Sequence, residues 1–263
     1  MDITQTLSNW LTEREFSANV VFHQVSTPRQ AVFEPFPTEI QPALQQALKL
    51  RGITALYSHQ AEAFRCVQNG ENLVISTGTS SGKSLCYSIP ILNQQIVQLG
   101  ATALLLFPTK ALTNDQHKFF ADIGALLPGD KFKPAVYDGD TPSHQRSPIR
   151  KSATILMTNP DMLHQGVLPH HTNWARFFSN LRYVVIDEMH IYRGVFGSHF
   201  ANVLRRLKRI CAFYNSYPQF ILTSATIGNP VELAAALVEQ KVHLIEQDGS
   251  PKGLAHFILY NPP

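Results

Sequence analysis

Six short apolar runs alternate with helix-like segments between residues 72 and 239, and this alternation constrains the fold more than any other feature. The runs occupy residues 72–76, 102–107, 133–139, 153–158, 182–188 and 219–226. Helical spacing of apolar residues separates most of them, at 84–98, 111–126, roughly 197–215 and 230–239. Continuously apolar strands between helices are typical of a parallel sheet covered on both faces. The sequence therefore predicts an α/β fold that binds ligands beyond the carboxyl ends of its strands.

The segment before the first run is predicted to be mainly helical. Residues 1 to about 30 have the pattern of an amphipathic helix followed by a polar stretch. Residues 38–51 show helical spacing before Gly52, and a further helix is predicted from Ser58, as N-cap, to Gly70.

The composition indicates a folded globular chain, because 44% of its 263 residues are apolar and 16% are charged. The net charge of +3 is too small to indicate a nucleic-acid partner by itself. Cys66, Cys86 and Cys211 are far apart and form neither a metal-ligand spacing nor a disulfide framework, which fits a cytoplasmic location. The sequence shows no signal-peptide pattern and no apolar run of membrane-spanning length.

The stretch "TGTSSGKS" at 77–84 follows a predicted strand and opens a predicted helix, which is the context of a Walker A loop. Backbone N–H groups in such a loop point at phosphate oxygens. Lys83 would neutralise the β- and γ-phosphates, and Ser84 would bind Mg²⁺. The whole loop is predicted to bind the cofactor, through Thr77, Gly78, Thr79, Ser80, Ser81, Gly82, Lys83 and Ser84. Thr77 stands where the motif has its first Gly, so an ordinary Ser/Gly loop before a helix is the alternative.

A second candidate site lies in "VVIDEMH" at 184–190, a buried strand that ends in two carboxylates. Asp187 would hold Mg²⁺ through water, and Glu188 would orient and deprotonate the attacking water. His190 is placed to couple this site to neighbouring loops. The alternative is a solvated acidic turn.

Three further stretches complete an ordered set: "LYSHQAEAF" at 56–64, "FPTKAL" at 107–112 and "TSATIGNP" at 223–230. In chain order, these three stretches resemble motifs Q, Ia and III of superfamily 2 helicases. The phosphate loop and "DEMH" resemble motifs I and II of the same helicases. "TNPDML" at 158–163 is similar to motif Ib. With "YRGVFGSH" at 192–199, the set resembles the mitomycin-repair-factor family of DEAD/DEAH-box DNA helicases.

The resemblance implies a RecA-like P-loop NTPase domain at 36–255, after a helical N-terminal extension at 1–35. It implies ATP and Mg²⁺ as cofactors, single-stranded DNA as partner, 3′-to-5′ translocation and a role in DNA repair. Residues 256–263 would begin a linker to a second RecA-like domain beyond this sequence or on another chain. We therefore expect weak ATP binding, very slow hydrolysis and no unwinding by these 263 residues alone.

The resemblance also implies residue roles. Gln60 would recognise adenine, and Phe36 would stack on it, although Phe36 also suits the core. Ser224 and Thr226, with His190, would couple the nucleotide site to the nucleic-acid site. Contacts to the sugar-phosphate backbone would come from Thr109, Lys110, Thr158, Asn159 and Arg193.

Several alternatives stay open on the sequence alone. Arg193 equally suits the cap of a turn, and "RRLKR" at 205–209 suits the solvated face of a helix. His170 and His171 have no cysteine nearby and do not indicate zinc. An RNA helicase or a nucleotide-binding module without unwinding activity is the alternative function, although "DEMH" and "YRGVFGSH" favour DNA.

Overall fold

The computed structural model describes residues 3–129 and 131–262, which form two compact units. The larger unit comprises residues 33–249. The smaller unit is built from the described residues up to Val32 and from Ser250 onward.

A seven-stranded parallel sheet is the framework of the larger unit. The strands of this unit are β2 (Phe33–Glu34), β3 (Leu56–Tyr57), β4 (Leu73–Ser76), β5 (Thr102–Leu106), β6 (Pro134–Val136), β7 (Ile155–Thr158), β8 (Leu181–Ile186), β9 (Gln219–Ser224) and β10 (His243–Ile245). The strand order in the sheet is β10-β4-β9-β8-β5-β7-β6. Strands β2 and β3 form a two-stranded antiparallel ribbon outside it.

Helices connect these strands. The helices are numbered along the whole chain, and α1 (Ile3–Thr12) and α2 (Arg14–Ser17) belong to the smaller unit. The helices of the larger unit are α3 (Pro42–Leu50), α4 (Ser58–Gln68), α5 (Lys83–Val97), α6 (Lys110–Leu126), α7 (Ser143–Ser152), α8 (Pro160–Met162), α9 (Ala175–Ser179), α10 (Gly194–Phe213) and α11 (Pro230–Val238). A π-helical turn at Leu163–Val167 and 3₁₀ turns at Leu168–Trp174 continue from α8, and a 3₁₀ turn at Met189–Ile191 follows β8.

Both faces of the sheet are buried, as alternate residues of β5 show. Ala103 and Leu105 belong to one apolar cluster, and Leu104 and Leu106 belong to the other. Because side chains alternate across a strand, a sheet covered on both sides needs apolar residues at every position. The predicted mainly parallel sheet with helices on both faces is confirmed.

The six predicted strands correspond to β4–β9, with ends that differ by up to three residues. The pattern missed α7, which has no buried residue and contains Pro148, and so lacks an apolar stripe. It also missed the helical turns between 160 and 179 and the three-residue strand β10. The helix predicted at 38–51 is shorter, because it begins at Pro42, whose fixed φ suits the first helical turn.

The smaller unit contains helices α1 (Ile3–Thr12) and α2 (Arg14–Ser17) and an antiparallel pair of strands, β1 (Val20–Ser26) and β11 (Ala255–Tyr260). The Phe16 ring stacks on Tyr260 with centroids 4.9 Å apart. His23 Nε2 and His256 Nδ1 are 3.0 Å apart on neighbouring strands.

The predicted N-terminal helix therefore ends early, and a strand follows it. Val20, Val21, Phe22 and Val25 are β-branched or aromatic residues that favour strands, and β1 pairs with a segment that local pattern cannot identify. Residues 256–263, predicted as the start of a linker, include most of β11.

Candidate functional site

Three adjacent strands deliver the predicted nucleotide-site residues to one edge of the sheet. The order β4-β9-β8 places β9 between the strand that leads into the phosphate loop and the strand that ends in the acidic pair. Neighbouring strands lie about 4.8 Å apart, so the carboxyl ends of β4 and β8 are separated by about 10 Å. Residues 77–84, 187–190 and 223–226 therefore meet at this edge.

The phosphate loop turns sharply into α5 at Gly82. Gly82 has a φ of +77°, in the left-handed region that favours glycine. Lys83 opens the helix and donates hydrogen bonds from Nζ to the carbonyl oxygens of Thr77, at 3.0 Å, and Gly78, at 2.8 Å. The hydroxyls of Thr77 and Ser81 are 2.7 Å apart. The lysine charge is thus held inside the loop, where phosphate would be cradled.

Gln60 braces this turn from α4. Its Nε2 donates to Gly82 O at 3.0 Å, and its Oε1 accepts from Tyr57 N at 3.0 Å. A Cβ atom on Gly82 would lie only 2.7 Å from Gln60 Nε2. Both ends of the amide, predicted to read adenine, are therefore bonded to backbone, and adenine recognition stays a prediction. Phe36 is partly buried against the apolar cluster that contains Ala103 and Leu105.

His59, which the sequence reading did not single out, also contacts the loop. It is fully buried, and its Nδ1 accepts the backbone N–H of Gly249 at 3.1 Å. Its Nε2 lies 3.1 Å from Ser81 O. Since Nδ1 accepts, Nε2 must carry the proton and donate to Ser81. The ring thus joins the phosphate loop to the segment after β10.

Asp187 is buried just beyond β8, and Thr223 Oγ1 donates a hydrogen bond to its Oδ1. Burial raises the pKa of Asp187, and the hydrogen bond from Thr223 opposes that rise. The same hydroxyl accepts the backbone N–H of Glu188 at 3.3 Å. Thr223 therefore orients both acidic residues. Ile186 pairs with Leu222, so the next residues, Asp187 and Thr223, lie beside each other. This register between β8 and β9 is the signal that identifies Thr223 as a site residue.

His190 lies between the acidic pair and the end of β9. Its Nδ1 is 3.2 Å from Glu188 Oε2, and it accepts the backbone N–H of Ala225 at 3.3 Å. The hydroxyl of buried Ser224 is 3.5 Å from the same nitrogen, whereas Thr226 is exposed. Of the three predicted coupling residues, His190 and Ser224 are brought together.

Four of the predicted nucleic-acid contacts line one cleft of about 280 Å³. Thr109 and Lys110 are exposed at the start of α6, and Lys110 forms an ion pair with Asp140. Asn159 Oδ1 caps α8 by accepting from Met162 N at 2.8 Å. Thr158 is buried, and its hydroxyl donates to Tyr137 O at 2.5 Å.

Arg193, the fifth predicted contact, is exposed and lines a different cleft, between α10 and α11. The structure thus groups four of the five residues and separates the fifth. Contact between any of them and nucleic acid stays a prediction.

The site's residues fit a magnesium nucleotide on chemical grounds. Lys83 is a cation held by two neutral carbonyls at a helix N-terminus, where anions bind favourably. The Ser84 hydroxyl and the Asp187 carboxylate are oxygen ligands of the kind that Mg²⁺ prefers. The charge of Glu188 raises the pKa of Asp187, and the charge of Lys83 lowers it. The three charged groups are therefore close enough to act on one bound nucleotide.

Comparison with known proteins decides the family. The model of the DEAD/DEAH box helicase family matches residues 57–234, which include the phosphate loop, the acidic pair and Thr223. The chain belongs to the DEAD/DEAH box helicases.

Related helicases match over nearly the whole chain. "Uncharacterized ATP-dependent helicase YprA" of Bacillus subtilis is 48% identical over 260 residues, which are 98% of this chain and 34% of YprA. "ATP-dependent helicase HRQ1" of Saccharomyces cerevisiae is 43% identical over 96% of this chain and 24% of HRQ1. The chain thus spans a quarter to a third of the length of these helicases.

A solved structure described as "DUF1998 helicase MrfA bound to DNA" matches all of this chain with a TM-score of 0.95 and 49% identity, over 37% of its own length. A second MrfA structure, with DNA and AMPPNP, matches equally well at 48% identity. Among the described residues, no helix of this DEAD/DEAH box chain is long and apolar enough to cross a membrane.

Proposed function

We propose that this chain is the ATP-binding motor domain of an ATP-dependent DNA helicase. The observation that carries the proposal is the meeting of Lys83, Asp187 and Glu188 at one sheet edge, with Thr223 on the strand between them. A lysine at a phosphate loop beside two carboxylates suits hydrolysis of a nucleoside triphosphate. The family match supports ATP as that nucleotide.

Each residue has a role in this proposal. Lys83 leaves its two loop carbonyls and pairs with phosphate oxygens, and backbone N–H groups of residues 78–84 bind the same anion. Ser84 and Asp187 hold Mg²⁺, which when bound neutralises charge on the phosphate oxygens. Glu188 orients a water and accepts its proton. His190 Nδ1 lies within reach of both Glu188 Oε2 and the backbone N–H of Ala225 and can bond to one of them at a time, so His190 is placed to transmit changes between this site and the loop after β9.

We propose that single-stranded DNA occupies the cleft at Thr109, Lys110 and Asn159. MrfA, described as bound to DNA, supports DNA at 49% identity, whereas human RNA helicase DDX50 is 31% identical over 61% of the chain. Backbone contacts alone do not distinguish the two nucleic acids, so an RNA partner is the competing reading. Comparing the affinities for DNA and RNA strands of one sequence tests the choice, and tighter RNA binding would overturn it.

For a protein with the full length of these relatives, we propose ATP-driven 3′-to-5′ translocation along DNA, in DNA repair and in the cytoplasm. Closure of a second RecA-like domain on the nucleotide would complete the catalytic site. An arginine supplied from a partner domain contributes roughly 10³-fold or more to turnover in related enzymes. The 263-residue chain alone should therefore hydrolyse ATP slowly and unwind nothing.

The decisive experiment measures ATP turnover by the purified chain with Mg²⁺, with and without single-stranded DNA. Glu188→Gln should remove the turnover while binding of a fluorescent ATP analogue persists, because the amide cannot accept the proton. Lys83→Ala should remove binding as well. Turnover that survives Glu188→Gln would contradict the assignment. Binding without Glu188-dependent turnover would make the chain a nucleotide-binding module.

A further inference from the structure

A groove of about 430 Å³ adjoins the proposed nucleic-acid cleft. One wall is α10, and the other is α8 with the π-helical turn that follows it. Its lining includes Asp161, His164, Phe196, His199, Arg206 and Arg209. The sequence assigned "RRLKR" at 205–209 only to a solvated helix face.

The four basic residues of this stretch divide into two pairs with different surroundings. Arg205 Nε and Lys208 Nζ bind the two carboxylate oxygens of Glu239, at 2.8 and 2.9 Å. Arg206 and Arg209 face the groove instead. Among the residues that the structure describes, neither of these arginines forms an ion pair. Arg206 donates to His164 O at 3.4 Å. One pair is thus held by a shared carboxylate, and the other leaves two positive charges in the groove that pair with no described carboxylate.

Imidazole rings add hydrogen-bonding nitrogens to both walls of the groove. His199 and Arg206 lie seven residues apart on α10, so they share one helix face, and His164 is exposed on the opposite wall. Asp161 is the acidic residue in the groove. Two arginines against one carboxylate give a net positive groove, which suits a polyanion.

The groove is continuous with the neighbouring cleft. The two share Pro160, Asp161 and Phe196 as lining residues. The Phe196 side chain is 47% exposed at this junction, and its ring centroid is 5.5 Å from that of Tyr192. A positive groove beside an exposed aromatic ring is the arrangement that binds single strands without sequence preference.

We propose that this groove extends the path of the strand beyond the cleft at Lys110, and this inference rests on the proposed nucleic-acid function. Arg206 and Arg209 bind phosphates of the sugar-phosphate backbone. The Phe196 ring stacks on a base where the strand passes from the cleft into the groove. An acidic peptide has the same sign of charge as a nucleic-acid strand. Continuity with the cleft favours the strand, because one strand would occupy the cleft and the groove together.

The test measures binding of a fluorescent 15-nucleotide dT strand by anisotropy, over a series of salt concentrations. The double variant Arg206→Ala/Arg209→Ala should bind roughly three- to tenfold more weakly at low salt. Its salt slope should fall by about 1.4, because each phosphate contact to a single strand contributes about 0.7. Phe196→Ala should weaken binding roughly fivefold or more, with an unchanged salt slope.

The matched control is Arg205→Ala/Lys208→Ala, which removes the same charge from the same helix but from the pair bound to Glu239. It should bind the strand as the parent does. Equal weakening by both double variants would show an effect of net charge and overturn the inference. Thermal unfolding of each variant verifies that the substitutions leave the fold intact.

Two further arms separate this inference from the proposed function. If Lys110→Ala weakens binding and the Arg206/Arg209 variant does not, the groove assignment fails and the proposed function stands. If neither weakens binding, the nucleic-acid cleft fails too. Polyglutamate that displaces the dT strand from the parent but not from the Arg206/Arg209 variant would make the groove a site for acidic peptides.

Discussion

Thr223 donates its hydroxyl hydrogen bond to Asp187 from the neighbouring strand, and the same oxygen accepts the N–H of Glu188. One side chain on β9 therefore positions both acidic residues at the end of β8. It also opposes the rise in the pKa of Asp187 that burial causes.

Thr223→Val should lower ATP turnover about tenfold or more, because a hydrogen bond to a charged group contributes about 1.5–3 kcal/mol. Steady-state hydrolysis with saturating Mg²⁺ and ATP measures the effect. Thr223→Ser keeps the hydroxyl and is the matched control. Equal losses in the two variants would show that disturbed packing at this buried position, and not the hydrogen bond, lowers turnover.

Gln60→Ala should weaken the binding of GTP as well as that of ATP. Both ends of the Gln60 amide are bonded to the backbone of Tyr57 and Gly82, so its loss disturbs the phosphate loop that either nucleotide uses. Competition against a fluorescent nucleotide gives both affinities. A loss confined to ATP would instead support adenine recognition by Gln60.

Gly197→Ala should lower the free energy of unfolding by about 2 kcal/mol or more, because overpacking against fixed backbone is destabilising. The added Cβ would lie 2.4 Å from the backbone oxygen of Tyr192. Because that oxygen belongs to the main chain, a side-chain rotation cannot relieve the overlap. Urea denaturation measures the change. Gly228→Ala is the control, since nothing lies within 4 Å of a Cβ there. Equal stability of the two variants would remove this explanation for Gly197, the second glycine of "YRGVFGSH".

The fold should lose stability as the pH rises above 9. Burial raises the pKa of the Cys86 thiol from 9.0 to about 12, so an unfolded chain loses this proton at a lower pH than the folded one. The stabilisation is complete below pH 9 and disappears as the pH rises toward 12. Urea midpoints at pH 7, 9 and 10 should fall in that order. Cys86→Ala should reduce the pH-dependent part, and an unchanged slope would contradict the assignment to Cys86.

Local pattern predicted the central sheet and the phosphate loop for a physical reason. A strand buried on both faces must be apolar throughout, and a loop that binds phosphate needs its glycine, lysine and serine at fixed spacing. These requirements act within about ten residues, so β4 and β8 and the side chains of Lys83 and Asp187 could be read directly from the sequence.

The features that local pattern missed depend on distant partners. Thr223 meets Asp187 only because β8 and β9 are neighbours. His59 joins Ser81 to Gly249, which lies 190 positions after His59 in the chain. The same limit applied to β1, whose valines read as part of an amphipathic helix until β11 supplied the pairing. The groove arginines were likewise indistinguishable from Arg205 and Lys208 until Glu239 was placed.

The pairing of β1 with β11 sets an order of events during synthesis. Ser26 lies beside Ala255, a residue made 229 positions later. At roughly 5–20 residues per second, β1 waits roughly 10–45 seconds after it is translated before its partner exists. The strands of the central sheet from β4 to β9 are synthesised during that interval. The exposed edge of β1 is therefore the part of the nascent chain that most needs protection from pairing with a neighbouring polypeptide on the same messenger.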